Sequence, residues 1–306
     1  MILQTGMRTD IPAFYSEWFI NRLKEGYVMV RNPYYPKNII RYELNPNVID
    51  CIGFCTKNPH PMLKYMDYLK EYGQYWFITI TPYGKDIEPN VPNKHQIIED
   101  FKELSKIVGI DSIGWRYDPI FITDKYSIDY HLRAFGKICK ELSGYTNTCV
   151  ISFIDLYKKV LKNFSSVKEV SMEDQLYLGK KFIEIANQYS MTIKPCAEGN
   201  FLEKYGADCS GCMTQDVYEK AIHSSLKIPK KKSARNECHC LLGNDIGSYN
   251  TCMHLCKYCY ANYSKESVVE NYRNHDVHSP LLIGHINKDD IIKKAKQESW
   301  KENTLF

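Results

Sequence analysis

Three cysteines stand close together in the stretch CMHLCKYCYAN near the end of the 306-residue chain, at Cys252, Cys256 and Cys259. Their C-x3-C-x2-C spacing suits a loop wrapped around one inorganic core. A [4Fe–4S] cluster takes up to four thiolates, so three local ligands would leave one iron open. An open iron can bind S-adenosylmethionine through its amino and carboxylate groups, and reductive cleavage then produces a radical that abstracts hydrogen from a substrate. The triplet therefore predicts a [4Fe–4S] cluster that binds S-adenosylmethionine.

A second group of cysteines precedes the triplet, so that eight of the twelve cysteines lie between residues 196 and 259. The C-x2-C at 209–212 and the C-x-C at 238–240 could form a four-thiolate site for an auxiliary [4Fe–4S] cluster or for zinc. His239 and His254 lie nearby in the sequence and could compete as ligands. The alternative is that these cysteines are free buried thiols.

The other four cysteines indicate packing rather than chemistry. Cys139 continues the apolar face of a helical pattern, and the remaining three, Cys51, Cys55 and Cys149, stand in apolar strand-like runs. We expect all four in the hydrophobic core.

Composition and charge indicate an ordered chain with a large core. Hydrophobic residues make up 44% of the chain and charged residues 25%, which excludes intrinsic disorder by composition. The net charge of +4 does not by itself indicate a nucleic-acid partner. The first residues, MILQTGMRTDIPAFY, lack the pattern of a signal peptide, and no window approaches eighteen consecutive apolar residues. We therefore expect a cytoplasmic protein without a membrane span, in which clustered thiols bind metal rather than form disulfides.

Strand-like and helix-like stretches alternate along the chain. Amphipathic patterns predict helices over 94–108, 131–143 and 172–187, the last behind Ser171 as an N-cap. The run at 38–45 predicts a hairpin with the second strand. Alternation predicts an α/β fold with a parallel sheet, and seven or more units favour a TIM-like (β/α) barrel over an open sheet. The strand-like runs are ILQTGM, YVMVRN, CIGFCT, WFITIT, SIGWRY, CVISFI and MTIKPC.

The pattern changes after residue 195, where most of the cysteines appear. We expect residues 1–195 to form the body of the barrel. Residues 196–306 would then form a C-terminal cysteine-rich segment that completes the barrel, holds the metal sites and caps the barrel mouth, because Cys196 follows the last predicted strand.

Charged residues follow nearly every predicted strand. Parallel barrels place their active sites on the loops at the carboxyl ends of strands, so these residues predict an enzyme with a polar site. The candidates for catalysis are Arg8, Asp10, Arg116 and Asp118. The candidates for binding a cofactor are Lys57, Lys85 and Glu198. Arginine suits carboxylate or phosphate recognition, although Arg116 and Asp118 could instead pair with each other.

The triplet resembles the cluster motif of radical S-adenosylmethionine enzymes, and the aromatic residues around it are similar to those of spore photoproduct lyase and its relatives. Longer blocks resemble a family catalogued as a domain of unknown function, whose members carry the triplet at the C-terminus. This resemblance covers nearly the whole chain. The blocks are RTDIPAFYSEWFINRLKEGYVMVRNP, TKNPHPML, TPYGKDIEPNVP, WRYDPI and DIGSYNTCMHLCKYCYAN.

The resemblance implies a radical S-adenosylmethionine-type enzyme that acts on an unknown small or macromolecular substrate with an electron donor such as ferredoxin or flavodoxin. The position of the triplet implies a circularly permuted barrel, since the cysteine loop usually follows the first barrel strand. The chain has no Gly-Gly pair, so the RTD or KNP loop would hold the amino group of S-adenosylmethionine. The family pattern implies that the second metal site consists of Cys196, Cys212, Cys238 and Cys240.

Two other functions agree with the same residues. In the first, the thiolates hold zinc or a redox-inert cluster, and the basic stretch KIPKKKSAR at 227–235 binds nucleic acid, although such stretches are more often solvated loops. In the second, a non-radical hydrolase or lyase works through Asp10, Arg116 and Asp118, and the metal is structural.

Overall fold

The computed structural model of the chain describes residues 1–229, 240–241 and 243–302. Cys238, His239 and most of the basic stretch 227–235 lie outside the described residues. The predictions made for them are therefore not addressed by the structure.

Strands and helices alternate through most of the described chain. The strands are β1 (Ile2–Gln4), β2 (Tyr27–Arg31), β3 (Asn38–Glu43), β4 (Cys51–Thr56), β5 (Gln74–Thr79), β6 (Ile113–Ile120), β7 (Thr148–Phe153), β8 (Thr192–Pro195) and β9 (Ile291–Lys294). The helices are α1 (Ile11–Phe14), α2 (Ser16–Glu25), α3 (His60–Leu63), α4 (Lys94–Val108), α5 (Ile128–Leu142), α6 (Lys158–Asn163), α7 (Met172–Asn187), α8 (Gln215–Ile222) and α9 (Lys265–Arg273).

Six of the strands form one parallel sheet in the order β1-β4-β5-β6-β7-β8. Most of their residues are buried, which is typical of a parallel sheet covered on both faces. All six strands run in the same direction, so their carboxyl ends meet along one edge, which we call the carboxyl edge. This edge collects the loops that carry the predicted site residues.

The expected TIM-like barrel is wrong, whether permuted or not, and so is a cap over its mouth. Among the described residues the six-stranded sheet stays open, because β1 and β8 end the order and do not pair with each other. The run YVMVRN was counted as a barrel strand, but it forms β2, which pairs antiparallel with β3 in a separate three-stranded sheet completed by β9. The α/β class and the hairpin of the second strand with 38–45 are confirmed.

The three predicted amphipathic helices are confirmed as α4, α5 and α7. Ser171 caps α7 by accepting a hydrogen bond from the backbone amide of Asp174. The helices pack side by side, and the rings of Phe135 on α5 and Phe182 on α7 stack with centroids 4.1 Å apart. Stacked aromatic rings of this kind add to the stabilisation that comes from burying their area.

His131 is a fully buried polar side chain in this core. Its Nε2 lies 2.9 Å from the carbonyl oxygen of Phe121, which can only accept, so Nε2 carries the proton. The Tyr117 hydroxyl, 2.8 Å from Nδ1, then donates to that nitrogen. Burial lowers the pKa of His131 to about 4, so the folded protein keeps this imidazole neutral.

Acidification should therefore destabilise the protein through His131. Between the ordinary pKa of 6.5 and about 4, the unfolded chain binds a proton that the folded chain does not. The free energy of unfolding should fall across this range by about 3 kcal/mol from this residue alone. In urea unfolding series at several pH values, His131→Gln should be less stable than the wild type at pH 7 but should lack this part of the acid dependence. His95→Gln, on the exposed side of α4, should keep it; the same acid dependence in both variants would contradict the assignment.

Candidate functional site

The cysteine loop, defined as residues 250–262, lies against the carboxyl edge at β1, β4 and β5. The chain enters this loop along the edge of β1 that does not pair with β4. There Asp245 forms an isolated parallel bridge with Gln4. It is attached to the segment after β5 by two backbone hydrogen bonds, from Lys257 to Ile87 (3.0 Å) and from Asn90 to His254 (3.3 Å). The chain places the three cysteines of the triplet at the edge where open α/β sheets bind their ligands.

The carboxylate of Asp10 joins three segments at this edge. Its Oδ1 accepts a hydrogen bond from the backbone amide of Ala13 at the start of α1, 3.0 Å away. Its Oδ2 accepts from the backbone amide of Lys57 (2.8 Å) and from Nε2 of His254 (2.9 Å). Asp10, predicted as a catalytic residue, therefore holds the loops after β1 and β4 against the cysteine loop.

A second buried carboxylate, Glu88, collects cations and hydroxyls beside the triplet. Its Oε1 lies 2.9 Å from the Lys57 ammonium and accepts from the Thr81 hydroxyl at 2.7 Å. Lys94 and the hydroxyl of Tyr258 also donate to Glu88. Burial raises the pKa of Glu88, but the two ammonium groups outweigh it and lower the pKa to about 2, so Glu88 is ionised.

Backbone amides influence two of the three thiols of the triplet. The amide of His254 partly offsets the rise in the pKa of the Cys252 thiol, and the amides of Ala261 and Asn262 do the same for the Cys259 thiol. Cys256 faces the Tyr258 hydroxyl. Burial is the largest effect on all three thiols and raises their pKa, to about 12 for Cys256. Without a cation the thiols keep their protons, and a metal would displace them.

Strained backbone accompanies these cysteines. Leu255 has φ 57°, and Asn250 at the start of the loop has φ 58°. Ala197, directly after Cys196, has φ 59°. A bulky residue such as leucine rarely adopts this left-handed region, and such residues concentrate at functional sites, where the surrounding structure holds them in place.

The second thiol group consists of Cys196, Cys212 and Cys240 among the described residues. The sulfur of Cys212 lies 3.6 Å from that of Cys196 and 3.3 Å from that of Cys240. The backbone amide of Met213 donates to the Cys240 sulfur at 3.3 Å. Thiolates on one tetrahedral zinc ion lie about 3.8 Å apart, given zinc–sulfur bonds of about 2.3 Å. The three thiols are thus near the spacing of metal ligands, with Cys212 in the middle.

Neither thiol group has the finished arrangement of a metal site. Over residues 1–229, 240–241 and 243–302, no set of three or more Cys, His, Asp or Glu side chains is arranged to hold a metal ion. The described cysteines are all free of disulfide bonds.

Several predicted site residues form ion pairs or hydrogen bonds with neighbouring groups. Arg8 pairs with Asp245, with Nε 2.5 Å from Oδ2. The exposed Lys85 donates to the carbonyl oxygen of Val91 at 2.5 Å, in the loop after β5. Arg116 pairs with Asp118. All of these residues lie on loops or strand ends of the carboxyl edge. The contacts of Arg8 and Lys85, however, go to Asp245 and Val91 and not to the triplet.

Glu198 lies at the ends of β7 and β8. Its Oε1 accepts hydrogen bonds from the Ser152 hydroxyl and the Phe153 amide, both at 2.8 Å. Burial raises its pKa to about 7, and Asp118 and Asp155 add to the effect. A carboxyl group with such a pKa can take up or release a proton near neutral pH.

Sequence reasoning missed several residues of this edge. No sequence pattern pointed to Glu88 or Lys94. Glu88 lies in the loop after β5 and Lys94 begins α4, and only the fold brings them together with Lys57. Tyr258 had a weak signal, as the aromatic residue before Cys259. Cys55, which was expected in the core, packs against it at the carboxyl end of β4, where it is half-buried. Cys51, Cys139 and Cys149 are fully buried, as expected.

Residues 2–261 match the family described as domain of unknown function (DUF1848). The chain belongs to the DUF1848 family. The matched region includes both thiol groups and ends two residues after Cys259. No curated protein and no solved structure matches the chain. The DUF1848 member has no helix among its described residues that is long and apolar enough to cross a membrane.

Replacing Glu88 should destabilise the fold strongly. Glu88→Gln leaves the ammonium groups of Lys57 and Lys94 facing each other without a counter-charge, which should cost about 3 kcal/mol at pH 7. The folded pKa is lowered, so this stabilisation should be fully present above the ordinary pKa of 4.5 and should disappear as the pH falls towards 2. Urea unfolding of the variant and wild type at several pH values measures the difference.

The matched control is Glu99→Gln. Glu99 is largely exposed and pairs with Lys102 at 2.9 Å, so its loss should change stability by less than about 0.5 kcal/mol. Equal effects of the two variants would show that the Glu88 cluster does not stabilise the carboxyl edge.

Proposed function

We propose that this protein is an iron–sulfur enzyme in which Cys252, Cys256 and Cys259 hold a [4Fe–4S] cluster whose fourth iron is left open. The observation that carries the proposal is the position of three thiols on one loop at the carboxyl edge, with Cys256 buried and Cys252 and Cys259 half-buried. When bound, such a cluster supplies an electron to S-adenosylmethionine and starts carbon-radical chemistry on a substrate.

The sulfur environment fits an anionic cluster. The backbone amides of His254, Ala261 and Asn262 favour the ionised form of the Cys252 and Cys259 thiols. Hydrogen bonds to cluster sulfurs are among the groups that stabilise such a centre and set its potential. Binding of a metal would have to bring the three sulfurs closer together. The backbone amides of the same loop would then stabilise the negative charge on these sulfurs.

Orphaned polar atoms around the triplet also fit a bound molecule. Six buried side-chain atoms of the described residues have no hydrogen-bond partner, and three of them lie in or beside the cysteine loop: Thr9 Oγ1, His254 Nδ1 and Asn262 Oδ1. Leaving a buried polar atom without a partner costs about 1–3 kcal/mol. A polar ligand at the carboxyl edge would provide partners for atoms that the protein leaves unsatisfied.

Charged side chains at the edge would orient that ligand. Lys57, held by Glu88, presents an ammonium group beside Cys256, which suits a carboxylate or phosphate. Glu198, with a pKa of about 7, can hold or release a proton at the ends of β7 and β8. The edge therefore combines an anion-binding group with a group that transfers protons at neutral pH.

We further propose that the second thiol group is a closed metal site. Its ligands would be Cys196, Cys212 and Cys240, with Cys238 as the fourth from the family pattern. The sulfur separations of 3.6 Å and 3.3 Å support this assignment, and four thiolates suit either zinc or an auxiliary [4Fe–4S] cluster.

Iron loading tests the triplet. Protein purified without oxygen and reconstituted with iron and sulfide should bind about four irons per chain at the triplet, in addition to any at the second thiol group. Cys256→Ser should remove about four irons per chain, as measured by iron analysis and by the loss of charge-transfer absorption. Cys139→Ser is the matched control. Cys139 is buried in the core on α5, so this variant should leave the iron content unchanged. The proposal fails if Cys256→Ser retains the full iron content.

Cleavage of S-adenosylmethionine tests the open iron. Fully iron-loaded protein reduced with dithionite should release 5′-deoxyadenosine from S-adenosylmethionine, and Cys256→Ser should release none. The assay is run with iron-loaded Cys139→Ser in parallel, which should match the wild type. Iron-loaded wild type that neither forms 5′-deoxyadenosine nor changes its electron paramagnetic resonance spectrum on adding S-adenosylmethionine would contradict this chemistry.

A further inference from the structure

Arg116 connects the carboxyl end of β6 with the second thiol group. Its two terminal nitrogens have different partners. Nη2 donates to Asp118, and Nη1 donates to the sulfur of Cys212 at 3.7 Å. The ion pair with Asp118 therefore does not account for the whole guanidinium group, since one arm of it is directed at a thiol.

The guanidinium group is held in place from several sides. Only 15% of the Arg116 side chain is exposed, and its charge lies 5.2 Å from the centre of the Phe77 ring on the neighbouring strand β5. Asp118 pairs with it two residues further along β6. A charge fixed in this way cannot move into water without losing all of these contacts.

Cys212 is the thiol at which a fixed cation has the largest effect. It is buried and lies between the sulfurs of Cys196 and Cys240. Binding of a metal requires three or four thiols to lose their protons next to one another, and the negative charges of the resulting thiolates repel in a site removed from water. A guanidinium N–H aimed at the central sulfur offsets that repulsion and directs the sulfur towards its partners.

We propose that Arg116 is a positioning residue of the second thiol group, which orients the sulfur of Cys212 towards its partners for metal binding. This inference rests on the proposed function of that group as a metal site. It differs from the role expected from the sequence, in which Arg116 takes part in catalysis.

The loop that carries Cys212 has a second anchor, which provides a comparison. On the other side of the loop, the Lys194 ammonium donates to Asp208 and to the carbonyl oxygen of Gly211, 3.4 Å away. Lys194 holds the same loop as Arg116, but none of its hydrogen bonds goes to a sulfur. A variant at Lys194 therefore reports how much a looser loop alone weakens metal binding.

The test measures Zn²⁺ binding by the full chain in which all three triplet cysteines are replaced by serine, so that only the second thiol group remains. Chelator competition gives the affinity, and Co²⁺ in place of Zn²⁺ gives a thiolate-to-metal absorption that reports the number of sulfur ligands. Arg116→Met should weaken Zn²⁺ binding about 10- to 100-fold, the usual effect of removing a group that orients a metal ligand. Arg116→Lys should recover part of that loss, because it restores a positive charge near Cys212.

Lys194→Met should weaken Zn²⁺ binding less than Arg116→Met does, and it should leave the cobalt–thiolate absorption at full intensity. Arg133→Met, on the exposed surface of α5, should change nothing. The inference is overturned if Arg116→Met binds Zn²⁺ as tightly as the parent, or if Arg116→Met, Arg116→Lys and Lys194→Met weaken it equally.

The two levels of the proposal fail in different ways. A parent with Arg116 intact that binds no Zn²⁺ would refute the metal site and this role of Arg116 together. A parent that binds Zn²⁺ regardless of residue 116 would refute only the role of Arg116. Should the triple-serine chain not fold, Zn²⁺ titration of the otherwise natural chain should show two sites, of which Arg116→Met weakens one.

Discussion

The carboxylate of Asp10 is the contact on which the arrangement of the carboxyl edge depends. Its two oxygens accept hydrogen bonds from the start of α1, from the loop after β4 and from His254 in the cysteine loop. His254 lies 244 positions away from Asp10 in the sequence. Asp10 is almost fully buried, and hydrogen bonds to a charged group contribute about 1.5–3 kcal/mol each, so the cysteine loop is held at a defined place on the sheet.

Glu88, in the loop after β5, is a second buried carboxylate that attaches the cysteine loop to the carboxyl edge. Tyr258 in the cysteine loop, Lys57 after β4 and Lys94 at the start of α4 all donate to it. The sheet is open rather than closed, yet its carboxyl edge still collects the loops with ionisable groups, because every strand of a parallel sheet ends on the same side. The candidate site thus follows from strand direction and does not require a barrel.

The regular elements were predictable because the sequence periodicity reports directly on burial. The apolar stripes of α4, α5 and α7 are found in the structure as predicted, and all seven strand runs form strands, six of them in the parallel sheet. YVMVRN misled the count of barrel strands, since an apolar run indicates a strand but does not say which strand it pairs with. Its partner, NIIRYELN, follows after a short turn, and local antiparallel pairing prevails over a distant parallel one.

The site was predictable at the level of its cysteines and not at the level of its contacts. Spacing singled out the triplet, whereas the resemblance to the family implied Cys196, Cys212, Cys238 and Cys240 for the second site. The partners of Arg8, Asp10 and Arg116 are not encoded by spacing, because Asp245, His254 and Cys212 reach them only through the fold.

Iron-edge anomalous diffraction from a crystal grown without oxygen tests the central claim most directly. The account predicts four irons at the triplet, with the sulfurs of Cys252, Cys256 and Cys259 each bound to one of three irons and no protein atom bound to the fourth. A fourth ligand from the protein, such as Nδ1 of His254, would contradict the account. So would a fully reconstituted crystal without iron at the triplet.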